Sequence, residues 1–102
     1  MIVMVNSDMS VSLVQAEDFK RFHCEIQIPN ATQEQAQIAL NGIAEVENLE
    51  TAWVYVDALF ALERDATPQW TASVQTMIEK ARSHGWVRDQ PLAIKSHIVW
   101  QG

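Results

Sequence analysis

Glu50-Thr-Ala-Trp-Val-Tyr-Val-Asp-Ala-Leu-Phe-Ala-Leu-Glu63 is the most apolar run of the chain, and its reading decides the fold. With a period of two, Val54, Val56, Ala58, Phe60 and Leu62 share one face, while Trp53, Tyr55, Asp57, Leu59 and Glu63 share the other. With a helical period, Leu49, Trp53, Val56 and Phe60 form a stripe, but Val54, Tyr55, Leu59 and Leu62 surround it and leave little polar surface. The β-branched and aromatic residues of Thr51–Val56 favour a strand for the first half. Ala58–Arg64 consists of good helix formers and stays open between strand and helix. If it is strand, the run is one long bent strand or two strands reversing near Asp57, where no Gly, Pro or Asn-Gly marks a turn.

On the N-terminal side, Phe19–Ile28 alternates as a strand, with Phe22, Cys24, Ile26 and Ile28 facing a core and Arg21, His23, Glu25 and Gln27 facing away. Pro29-Asn30 stops it. Thr32-Gln-Glu-Gln35 is a capping box and predicts a helix with Ala36, Ala39, Leu40, Ile43 and Val46 on its buried face, ending near Asn48. Gly42 inside that helix costs it up to about 1 kcal/mol relative to Ala. Ser10–Val14 reads as a short strand, and residues 1–9 as a flexible piece or edge strand completing an N-terminal arm.

On the C-terminal side, Thr67-Pro68 starts a second helix whose apolar face is Trp70, Val74, Met77, Ile78 and Ala81. Lys80, Arg82 and His84 complement its C-terminal dipole, Gly85 caps it, and Trp86 is expected to pack back on Ala81. After a turn at Asp89-Gln-Pro91, Leu92–Trp100 alternates as a last strand. The order predicts a single α+β domain over residues 1–102, a ferredoxin-like βαββαβ antiparallel sheet with two helices on one face and an N-terminal strand arm. The alternative is a three-helix bundle with a small β-hairpin, using Leu49–Asp65 as the middle helix.

The composition, 48% hydrophobic and 20% charged, is that of one globular domain. Thirteen acids against seven bases give a net charge of −6. That balance argues against nucleic acid unless the few bases cluster, and admits a basic protein partner. The single cysteine, Cys24, excludes an internal disulfide, fits a reducing compartment, and alternates with apolar residues as a structural thiol does. With no targeting pattern and no run of membrane-spanning length, the expectation is a cytoplasmic protein without membrane association.

Phosphate-binding glycine loops, paired cysteines, His-x-x-x-His and Gly-x-Ser-x-Gly are all missing from the sequence. No cofactor is expected. Two separated histidines and one buried thiol also fall short of a tetrahedral metal set. Two function classes remain. His23 and His97, adjacent if the first and last strands pair, would join Asp57 as acid-base groups of a small dimeric enzyme. Alternatively, Trp53, Tyr55, Leu59 and Val99 point outward from an open sheet face and form the interface of a non-catalytic interaction or regulatory module that self-associates as a homodimer. An acidic inhibitor of a basic enzyme is one version of it. The second class is preferred, because the polar residues have no signature spacing. Asp57 separates the two readings of the central run. On a strand its replacement by Asn shifts stability by no more than about 0.5 kcal/mol. On a helix surrounded by apolar groups it costs about 3 kcal/mol or more, and a urea titration distinguishes the two.

Overall fold

Among the described residues, alternating apolar residues build seven strands: β1 (Ile2–Val5), β2 (Val11–Val14), β3 (His23–Ile26), β4 (Ala44–Val46), β5 (Thr51–Tyr55), β6 (Val87–Arg88) and β7 (Ala93–Trp100). Three helices accompany them, α1 (Gln33–Ala39), α2 (Val56–Leu62) and α3 (Pro68–Ser83). The structure, a computed structural model, describes residues 1–101. The strands form one mixed sheet in the order β2-β1-β3-β7-β5-β4, with β6 also on β7, curled into a half-barrel. β1–β3 and β3–β7 are parallel, and the other pairs are antiparallel. Val3, Val5, Cys24, Ile26, Val54, Ile94 and Ile98 point into the curl and meet Ala36, Leu40, Leu59, Trp70, Val74 and Ile78 of the helices in one core.

This architecture replaces both the ferredoxin-like sheet and the three-helix bundle, and three local choices account for the difference. The central run changes type at Tyr55. Thr51–Tyr55 keeps the expected strand alternation, with Ala52 and Val54 buried. Then α2 begins at Val56, where good helix formers follow and Asp57 places its carboxylate in the first turn. The phase change carries Leu59, expected on the outer face, into the core, where it is fully buried. Asp57 is helical but exposed, so the apolar packing foreseen for a helical Asp57 does not arise.

The first helix is also shorter than its apolar periodicity suggested. The Thr32 capping box forms as expected, but α1 ends at Ala39, and Gly42 turns the chain with φ of +79°. Ala44–Val46 then runs as β4 against β5 instead of extending the helix. Asn48 closes the β4–β5 turn by accepting the Glu50 N–H at 2.8 Å. The Gln37 side chain covers the outer edge of β4, donating to the Ala44 carbonyl and accepting from the Val46 N–H at 3.0 and 2.7 Å. Sheet edges left bare are templates for unwanted pairing, and this contact removes part of one.

The third difference lies at the start of the chain. Ile2–Val5 is not an edge strand, because β1 sits between β2 and β3 with Val3 and Val5 fully buried. Helix α3, by contrast, has the expected ends, with the Thr67 hydroxyl accepting from the Trp70 N–H and Gly85 at φ of +76°.

Gly42→Ala discriminates this architecture from a longer helix. In a helix the change would stabilise, whereas at positive φ it is expected to cost about 1 kcal/mol by urea titration. Asp57→Asn is expected to cost less than about 1 kcal/mol, its favourable placement at the α2 N-terminus being the only interaction lost.

Candidate functional site

Strand β7 is long enough to take two partners along one edge. β6 pairs with Ala93 and Ile94, and β3 pairs with residues from His97 onward. The strands run in opposite directions, so both begin at the intervening step, Lys95-Ser96. Phe22 immediately precedes β3 and Trp86 immediately precedes β6, and the sheet splits between them.

The split opens into a groove of about 490 Å³ lined by Phe19, Phe22, Met77, Ala81, Trp86 and Ile94 together with Lys20, Arg21, Lys80, His84 and Lys95. A smaller depression of about 250 Å³ continues it over β7 to Glu50, Thr51 and His97, sharing Phe22, Trp86 and Lys95. Each wall is fixed. The 15–22 loop is tied to α3 by the Trp70 Nε1–H donating to the Ala16 carbonyl at 2.8 Å, and to β1 by the Met1 nitrogen donating to the Asp18 and Arg21 carbonyls. Trp86 is anchored by its own N–H on the Ala81 carbonyl and by its carbonyl accepting from the Lys95 N–H. Its backbone thus returns to Ala81 as expected. Its ring does not, because it stacks on His84 at 4.5 Å between centroids and is 47% exposed.

The charge distribution of this groove is unlike that of the rest of the chain. Four of the seven Lys and Arg residues line its main body, and no acid does. Among the described residues, none of the four has a carboxylate within ion-pair distance. The paired arginines lie elsewhere, Arg82 on Asp89 and Arg88 on Glu45. Arg88 also covers the Trp53 ring at 4.8 Å, and the Trp53 Nε1–H donates to Glu47 at 3.4 Å.

His23 and His97 are register partners on β3 and β7, facing away from the core. His23 Nε2 lies 3.5 Å from Glu25, while His97 is exposed at the rim of the smaller depression. The strands are parallel, so the ferredoxin-like order is not what brings the two together. Asp57 does not join them. Thr51 pairs with His97 and Tyr55 with Ala93, so β5 carries the chain about 13 Å along the sheet before α2 begins. Trp53, Tyr55 and Val99 sit half-buried on the outer sheet face. Leu59 is absent from that face for the reason given above. No group of three His, Cys, Asp or Glu side chains among the described residues is arranged to hold a metal ion.

The groove residues escaped the sequence reading because Lys80 and His84 had a sufficient explanation at a helix C-terminus. The available signal was the segment Phe19-Lys-Arg-Phe22, two adjacent bases between aromatics in a chain poor in bases.

Cys24 is fully buried behind this site, its Sγ 3.3 Å from Ser96 Oγ, and burial pushes its thiol up to about 11. The folded value lies above the ordinary 9.0, so the proton is held in both states below pH 9. Between pH 9 and 11 only the unfolded thiol ionises, and stability falls. Urea titrations at pH 8 and 10.5 are expected to show the wild type losing about 2 kcal/mol more than Cys24→Ala over that interval.

Comparison with known proteins assigns the groove no counterpart, since no protein-family model, curated protein or solved structure matches this chain.

Proposed function

We propose that this protein is a non-catalytic binding or regulatory module that takes an organic anion into the groove between α3, the 15–22 loop and β7. The observation that carries the reading is the convergence of Lys20, Arg21, Lys80 and Lys95, unpaired, beside the exposed ring of Trp86 in a chain of net charge −6. Gathering like charges costs self-repulsion, and the carboxylate beside them, Asp18, accepts the Lys20 backbone N–H at 3.2 Å and pairs with none of the four side chains. A bound anion supplies the missing countercharge, and the aromatic and aliphatic lining supplies contact area. The held proton of Cys24 removes the one thiol as a nucleophile and supports the non-catalytic side of the reading. A free structural thiol also fits the cytoplasm. No helix among the described residues is long and apolar enough to cross a membrane.

Self-association through the outer sheet face is a second reading. The register sets half-exposed Val14 beside Ile2, with Met4 one step along and Val99 across Glu25 from it, while the buried residues of all three helices join the core on the opposite face. Sedimentation equilibrium is expected to show a dimer that Trp53→Ala weakens, and a monomer at tens of micromolar removes this reading.

For the groove, the probe is anilinonaphthalene sulfonate, an aromatic anion whose fluorescence reports binding. Affinity is expected to fall with added salt and to drop about tenfold or more in Lys80→Glu. Arg64→Glu, the same charge change away from the groove, is expected to leave it nearly unchanged. Binding indifferent to salt and to Lys80 would overturn the assignment.

A further inference from the structure

Resting on the anion-binding reading, we infer that the groove's ligand is a small planar-ring phosphate ester of the nucleoside monophosphate class. Volume is the first constraint. The main body, about 490 Å³, lies within the range that holds small organic ligands, and the 250 Å³ depression extends it past Trp86.

Charge is the second. The four cations come from three separate elements, Lys20 and Arg21 from the loop, Lys80 from α3 and Lys95 from β7. A single carboxylate needs one or two such partners. A phosphate monoester carries about −1.5 to −2 charges and three acceptor oxygens, and several donors arriving from different directions match it.

The aromatic pair is the third. Phe22 and Trp86 line both depressions, at the point where they meet, and Trp86 is the only aromatic among the large apolar side chains that stand exposed among the described residues. A planar heteroaromatic ring has its natural contact there, with the phosphate directed toward Lys20, Arg21 and Lys80. The net charge of −6 then limits the ligand's length. One or two phosphates fit inside the basic patch, whereas a polynucleotide would run its further phosphates over an acidic surface, beginning with Glu50 at the rim of the smaller depression.

Isothermal titration of the full chain with AMP, UMP, adenosine, inorganic phosphate and a short single-stranded oligonucleotide tests this. At least one nucleotide is expected to bind about tenfold or more tightly than both adenosine and phosphate. Trp86→Ala is expected to lower nucleotide affinity about tenfold, the size of a base-aromatic stack, and Lys80→Glu to lower it at least as much. Both side chains are exposed, and an unchanged urea midpoint confirms that each variant folds. Adenosine or phosphate binding as tightly as the nucleotides, or the oligonucleotide binding more tightly, would overturn the inference. If the nucleotides fail while anilinonaphthalene sulfonate still binds in a Lys80-dependent way, the ligand class falls and the anion-binding reading stands. If both fail, both fall.

Discussion

Strand β7 bonds along both edges, to β5 on one side and to β6 and then β3 on the other, and no other strand among the described residues holds three partners. Its inward residues Ile94, Ser96 and Ile98 are buried, so its position is set by burial as much as by hydrogen bonding. Two strands can share one edge only if they start or stop at the same point. Here they start, and the residues just before each start cannot both lie in the sheet. Phe22 and Trp86 are the residues displaced, and the groove lies between them. The site is thus a consequence of the pairing scheme, not an addition to it.

The same constraint explains why an acidic chain presents a basic site. Lys95 faces outward because Ile94 and Ser96 face in, and Lys80 lies next to Ala81 and one turn from Met77, on the rim of the buried face of α3. Lys20 and Arg21 sit in a loop clamped from both sides by backbone hydrogen bonds and the Trp70 indole. Each cation is placed by the burial of its neighbours, and the low-dielectric wall behind them, Ile94, Ala81 and Met77, keeps their field from being fully screened. Further across the outer sheet face Arg88 is instead paired with Glu45 and lies over the Trp53 ring, so its charge is already met.

Local chemistry was legible wherever a short segment carried its own instructions. The Thr32 capping box, the Thr67-Pro68 start and Gly85 end of α3, the alternation of Thr51–Tyr55 and of Ala93–Trp100, and the burial of Cys24 are all signalled by patterns within a few residues. Asn41-Gly42 was such an instruction as well, a turn signal outweighed by the helical spacing of Ile43 and Val46. Ile2–Val5, apolar on both faces, carried the mark of an internal strand rather than an edge.

By itself, then, the sequence determined an α+β chain, the ends of its longest helix, the inward face of its last strand and the burial of the one thiol-bearing strand face, at Cys24 and Ile26, against a core. The tertiary structure alone decided that β1 enters the middle of the sheet, that the apolar run breaks into strand and helix at Tyr55, and that bases at positions 20, 21, 80 and 95 meet in one groove. The physical reason is range. Caps, turns and alternation are settled by neighbours a few residues apart, whereas strand order is chosen by which apolar faces close the core together, and charges far apart in sequence become neighbours only after that choice is made.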